Sequence, residues 1–209
     1  MNFIKKTLDF VMDILETVTF VGSIFIVIYL FIMQPNQVKG ASMEPGLHSG
    51  DYIFTSKITY KFRPIERGDI IVFKAPSNPD IEYIKRVIGL PGDKILIQNQ
   101  NVFVNDVRLN EQYISAVTTT WEGGIIKDGE PLVVPQGDLF VMGDNRPRSS
   151  DSREFGPIPI SSIIGQVFYR YFPPTRMGTF ENPFPRSLQT AKYPLFFSSV
   201  GLQKMHNLT

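Results

Sequence analysis

Seventeen residues from Thr17 to Met33, TVTFVGSIFIVIYLFIM, carry no charge, and the uncharged stretch continues to Val38. As an α-helix the core run spans about 26 Å, close to the hydrocarbon thickness of a bilayer. A cleavable signal peptide would have a shorter apolar region, and here Asp9, Asp13 and Glu16 precede the run; a buried core helix would show a polar face. The run therefore reads as a transmembrane anchor over 17–34, ended by Pro35, behind a short cytoplasmic amphipathic segment, 1–16. In that segment Ile4, Leu8, Val11, Leu15 and Val18 recur at three- and four-residue intervals. Lys5 and Lys6 lie before the run and only Lys39 lies close after it, so the positive-inside bias puts the N-terminus in the cytoplasm and the rest outside, in a single-pass cell-membrane protein.

After the anchor the pattern changes to short runs with strand character, among them YIFTSK, GDIIVF, IEYIKRVIG, DKILIQ, NVFVND, GDLFVM and IIGQVFYRYF, punctuated by Gly-Asp, Pro-Gly-Asp and Asn-Asp turns. There is no βαβ alternation. The expected fold is mainly β, an antiparallel β-barrel or folded double sheet over 36–174. Residues 112–130 are weakly patterned and read as an excursion between strands. The segment 175–209, rich in Pro and Phe, reads as a loosely ordered tail whose YPLFFSSVGL stretch is too short to span a membrane.

The 209 residues suffice for one globular unit, and a net charge of +1 without a basic stripe argues against nucleic acid as a partner. Cysteine is absent, which excludes disulfides and a thiol nucleophile. Histidine occurs only at His48 and His206, leaving few ways to build a Ser/His/Asp triad. Any covalent chemistry therefore falls to oxygen or to the nitrogen of a lysine.

Ser42 sits in GASMEPG, a bend shaped by Gly40, Pro45 and Gly46 that can expose a side chain and leave its N–H free for an oxyanion. Alone, it is an ordinary turn serine; it needs a base. In IEYIKRVIG, strand alternation places Lys85 with Ile81, Tyr83 and Val87 on a face otherwise apolar. Desolvation there would lower a lysine from ~10.4 toward neutrality. The other assignment of faces leaves Lys85 solvated. GDNRPRSSDSREFG, 143–156, has loop composition; its charges allow internal ion pairs of Asp144 or Asp151 with Arg146 or Arg153. Its hydroxyls at Ser149, Ser150 and Ser152 are candidates for aiming a lysine, and spacing alone does not choose among them.

GASMEPGL (40–47), RGDIIVF (67–73), YIKRVIGLPGD (83–93) and GDNRPRSSDSREFGPIP (143–159), in this order behind an N-terminal anchor, resemble the bacterial type I signal peptidases, membrane-bound Ser/Lys endopeptidases. The resemblance covers residues 1–174. It implies Ser42 as nucleophile and oxyanion-binding N–H, Lys85 as general base, Ser149 as the hydroxyl that orients the lysine, and Asp151 with Arg153 as a structural ion pair; Asp144 belongs to the same supporting loop. Met43, Leu47, Tyr83 and Ile84 fall on positions that line pockets for small side chains, so the implied sites are Ala-x-Ala-like. The implied partners are preproteins with signal peptides and a lipid bilayer, for an enzyme acting as a monomer without metal or cofactor.

Three departures stand out. Gly46 replaces a usual threonine, Pro147 and Arg148 replace a commoner Asp-Asn, and Gly40 lacks the hydroxyl with which some members bind the oxyanion. A self-cleaving Ser/Lys protease shares the dyad logic, but the anchor and the lack of a DNA-binding segment argue against it. A membrane-tethered β module without activity is the other alternative, separated by a preprotein cleavage assay.

Overall fold

The computed structural model describes residues 2–120 and 123–189. Helix α1 (Asn2–Val27) continues through a wider, π-helical turn at Ile28–Ile32 and gives way to strand β1 (Met33–Gln37). Lys5–Ile32 is long and apolar enough to cross a membrane, with a mean hydropathy of 2.2 over its best window, none of which is buried. Within it the hydroxyls of Thr17, Thr19 and Ser23 donate to carbonyls four residues earlier, at 2.8, 2.7 and 2.7 Å, so these three aliphatic hydroxyls are satisfied within the helix. The helix ends at Ile32, three residues before Pro35, which sits inside β1. Proline is tolerated there because β1 is an edge strand, paired only with β2 (Tyr52–Ser56).

Strands β3 (Ile70–Ala75), β4 (Asn78–Gly89), β5 (Lys94–Gln98), β6 (Asn101–Val104), β7 (Val107–Arg108), β8 (Leu132–Val133), β9 (Asp138–Met142), β10 (Ile158–Pro159), β11 (Ile163–Phe172) and β12 (Gly178–Thr179) complete two antiparallel sheets. The larger has the order β1-β2-β11-β3-β4-β9-β10, with β12 on β11; the smaller has the order β7-β6-β5-β8. Neither closes on itself, so the folded double sheet is realised and the barrel is not. In the smaller sheet the β5–β6 hairpin turns on Asn99 and Gln100, both at positive φ, the geometry that a two-residue turn requires.

Strand β4 is central and supplies all three apolar clusters. Ile88 packs with Ile95, Val104 and Phe140 between the sheets, Val87 with Phe73, Leu90 and Val141, and Ile84 against Val38, Met43, Leu47 and Ile53. Full burial of each such side chain contributes about 1.5–3 kcal/mol. Three short helices, α2 (Thr59–Phe62), α3 (Ser152–Phe155) and α4 (Arg186–Gln189), join the strands or follow them.

The beginning of the tail is part of the core, in contrast to the loose appendix expected. Phe184 is buried in the cluster between the sheets and meets the Tyr113 ring edge-on at 5.8 Å. Asn182 donates to the Arg67 carbonyl at 2.8 Å and lies so close to Gly68, at φ +96°, that a Cβ there would sit 2.2 Å from its Oδ1. The YPLFFSSVGL stretch and His206 lie outside the described residues.

Candidate active site

Three segments meet at Ser42: the β1–β2 loop, strand β4 and the loop from β9 to α3. The β1–β2 loop is held from two sides. On one, Leu47 is fully buried beneath the bend, and the buried Asp51 carboxylate accepts the His48 N–H at 2.9 Å and pairs with Arg176 at 2.7 Å and Arg170 at 3.2 Å. Arg170 also donates to the Gly46 carbonyl at 2.9 Å. On the other side, the Asn145 N–H donates to the Ser42 carbonyl and its Nδ2 to the Ala41 carbonyl, each at 3.0 Å. Gly143 makes the approach possible: a Cβ there would lie 2.4 Å from the Ser42 carbonyl oxygen and 2.2 Å from Ser149 Oγ. Among the described residues the Ser42 N–H makes no hydrogen bond, and Gly40, at φ +88°, leaves the space beside it open.

Lys85 lies opposite Ile71 in the β3–β4 ladder and is 4% exposed, so it is not a solvated lysine, although Arg86 on the other face is as deeply buried. Its Nζ donates to Ser42 Oγ at 2.8 Å and stands 5.1 Å from the centre of the Tyr83 ring. Burial lowers its pKa to about 8; Arg153 acts in the same direction, while Asp151 and Asp144 oppose it. A tenth of such lysines is already neutral one pH unit below that value, and neutral amine is what a hydroxyl proton requires.

The three candidate hydroxyls are distinguished by their surroundings. Ser152 Oγ accepts the Val141 N–H at 2.9 Å and so holds β9, and Ser150 is exposed on the rim. Ser149 is buried, and its Oγ makes no hydrogen bond, to Lys85 or to any other group. Asp151 and Arg153 pair at 2.8 Å with both side chains fully buried, and Asp151 also accepts the Gly143 N–H at 3.0 Å. Asp144 and Arg146 do not pair with each other as the loop composition allowed. Asp144 takes Arg86 in a two-pronged pair at 2.8 and 2.7 Å, and Arg146 pairs with Glu111 of the weakly patterned excursion.

A cleft of about 720 Å³ runs from Pro35 and Asn36 on β1 to Ser42 and Lys85, with Asp80–Lys85 of β4 as its opposite wall. Met43, Tyr83 and Ile84 line it together with Val72; Leu47 does not reach it and supports its floor from the core. Among the described residues no group of three or more His, Asp or Glu side chains is placed to hold a metal ion. An amine beside a hydroxyl at the end of an extended cleft can perform acyl transfer on a polypeptide.

The family model for signal peptidase, peptidase S26, matches residues 11–172. The chain belongs to this family. It is a serine-type endopeptidase. Over 175 residues it is 35% identical to signal peptidase IB of Staphylococcus aureus strain COL, an alignment covering 77% of this chain and 91% of that one. It is 41% identical over 151 residues to signal peptidase I of Bacillus caldolyticus, covering 69% and 82% respectively. A crystal structure of a signal peptidase I from Enterococcus faecalis is 33% identical, covers 50% of this chain and 97% of that chain, and superposes with a TM-score of 0.40.

Against the pattern of the family the departures are local. Gly46 lies against Asp144, where a Cβ would come 3.1 Å from Oδ2, while Pro147 and Arg148 belong to a single 3₁₀ turn on the cleft rim. Sequence reasoning missed Asn145, Arg86 and Glu111. Asn145 carried a signal in its place beside Asp144 in a tight loop; Glu111 carried none, because its pairing is set by tertiary contact alone.

Proposed function

We propose that this endopeptidase is anchored in a membrane by α1 and removes signal peptides from exported preproteins after small-x-small, Ala-x-Ala-like sites, with Ser42 as nucleophile and Lys85 as general base. The observation that carries the reading is the 2.8 Å approach of a desolvated Lys85 to Ser42 Oγ at the end of the cleft. When Lys85 is neutral, its lone pair takes the Ser42 proton and Oγ attacks the carbonyl of the residue before the cut. The unbonded Ser42 N–H faces the developing oxyanion, and the proton held on Lys85 passes to the leaving amine. Water, deprotonated by the same amine, then releases the acyl-enzyme.

Ser149 has no partner in this structure, and in the working site its buried hydroxyl turns to accept a Lys85 N–H and orient the amine, while the Asp151–Arg153 pair holds the loop that carries it. Met43, Tyr83 and Ile84 restrict the cleft to small side chains. The chain acts as a monomer, with the N-terminus cytoplasmic and the β domain outside. Ser42 follows Met33 by nine residues, so a signal peptide lodged in the same bilayer presents its cleavage site at the height of the nucleophile.

The test places the full chain in vesicles with a preprotein and locates the cut by mass spectrometry. Cleavage after a small-x-small site, abolished by Ser42→Ala and by Lys85→Ala in folded protein, is the expected result; processing by either variant at the parental rate overturns the mechanism.

A further inference from the structure

The segment 143–156, which carries Ser149, contains three arginines, and two of them are engaged in buried ion pairs. Arg146 and Arg153 are fully buried, paired with Glu111 and Asp151. Arg148 is exposed, lines the cleft together with Ser42 and Lys85, and among the described residues its guanidinium has neither a carboxylate nor a hydrogen-bond partner. It is held in position by its backbone: its N–H donates to the Asn145 carbonyl at 3.0 Å, and Asn145 in turn donates to the Ser42 carbonyl at 3.0 Å. Two hydrogen bonds thus separate the residue bearing this free cation from the one bearing the attacking hydroxyl.

The direction of a substrate in the cleft follows from the anchor. β1 leaves the helix at Met33, so the end framed by Pro35, Asn36, Asp80 and Glu82 is nearest the bilayer, and there Asn36 Nδ2 donates to Glu82 Oε2 across the cleft at 3.0 Å. The membrane-embedded part of a signal peptide precedes the cut, so residues before the scissile bond lie between β1 and β4. Residues after it leave past Ser42, where Arg148 and Ser150 are, among the described residues, the two members of the β9–α3 loop that line the cleft. Besides Lys85, the cleft is lined by Lys39, which lies in the loop just after β1 and before Ser42.

We propose that Arg148 selects for an acidic residue in the first two positions of the mature chain, through an ion pair formed on the rim of the cleft. This rests on the proposed signal-peptide cleavage. An exposed arginine and carboxylate attract modestly and two cations repel by a similar amount, so exchanging Asp for Lys changes kcat/KM by about threefold to tenfold.

The experiment uses the full chain in vesicles and three peptides with one small-x-small site, differing only in Asp, Ser or Lys at the second position after the cut. The ratio of kcat/KM for the Asp and Lys peptides, measured on one preparation, cancels the fraction of active enzyme. The parental enzyme is expected to favour Asp, Arg148→Lys to keep that preference, Arg148→Glu to invert it, Lys39→Gln to leave it in place, and raised salt to shrink it. A ratio near one in the parental enzyme, a ratio unmoved by Arg148→Glu, or one that collapses in Lys39→Gln overturns the assignment. Failure to cut the Ser peptide would instead remove the cleavage reading on which it rests.

Discussion

Lys85 is stabilised as a base and penalised as a cation by the same burial. Its pKa of about 8 places the acid limb of the pH profile just above neutrality: kcat/KM on a short peptide should rise tenfold per unit below that point and level off above it. The stability consequence has a definite sign. The folded pKa lies below that of the unfolded chain, so the unfolded state binds the extra proton between about 8 and 10.4; the penalty is complete below pH 8 and disappears as pH rises through that window. Lys85→Met should therefore stabilise the inactive protein by up to about 3 kcal/mol at pH 6, and urea unfolding at pH 6 and pH 10 should show the gain shrinking. Ser149→Ala removes a buried hydroxyl that lacks a partner, so it should leave stability within about 0.5 kcal/mol while lowering kcat by roughly 10²-fold through a misdirected amine. A Gly/Pro bend and a two-residue alternation made Ser42 and Lys85 candidates, but only the resemblance of the four motifs singled them out. The spacing of Ser149, Ser150 and Ser152 could not separate them, because what differs is whether the surrounding chain supplies a partner.

At the scale of elements, the site is a junction of one bend, one strand and one loop, and the strand was the easiest of these to read. β4 had the right alternation and the right neighbours. The pairing of its second cation was not legible: Arg86 reaches Asp144 across 58 residues, while the loop's nearer cation, Arg146, turns to Glu111. Local charge density suggests pairs within a loop, but the buried arginine nearest a carboxylate in space decides them. Arg86 also donates to the Gly68 carbonyl at 2.9 Å and stacks over Tyr113, its carbon 4.5 Å from the ring centre, so its charge cannot move to water without dismantling the wall behind the site. Asp144→Ala leaves that cation buried without its carboxylate and should cost about 3–5 kcal/mol, read as a fall in the urea midpoint. Activity should fall with it, because the Asn145 contacts that hold Ser42 belong to the same turn.

The whole molecule couples a helix exposed along its length to a β domain with a complete core, and the seam between them lies at Met33. There Lys57 closes the junction: its N–H donates to the Ile32 carbonyl at 2.8 Å and its Nζ to the Tyr29 carbonyl at 3.2 Å. On the proposed reading, chemistry on a soluble peptide needs only the domain, and the helix serves to reach a membrane-lodged substrate. A chain beginning at Met33 keeps β1, the Asn36–Thr55 hydrogen bond at 2.9 Å and the buried Val38, whose N–H donates to the Asp51 carbonyl at 2.8 Å. It should unfold cooperatively and cut a short peptide within about threefold of the full chain, but process a preprotein in vesicles roughly 10²-fold more slowly, since a bimolecular encounter replaces one confined to the bilayer. A chain beginning at Lys39 loses β1, one wall of the cleft and the Val38 contact with Met43, and should lose both activities together with much of its urea stability. Equal rates on the vesicle-borne preprotein for the full chain and the Met33 chain would show that the helix contributes nothing to encounter.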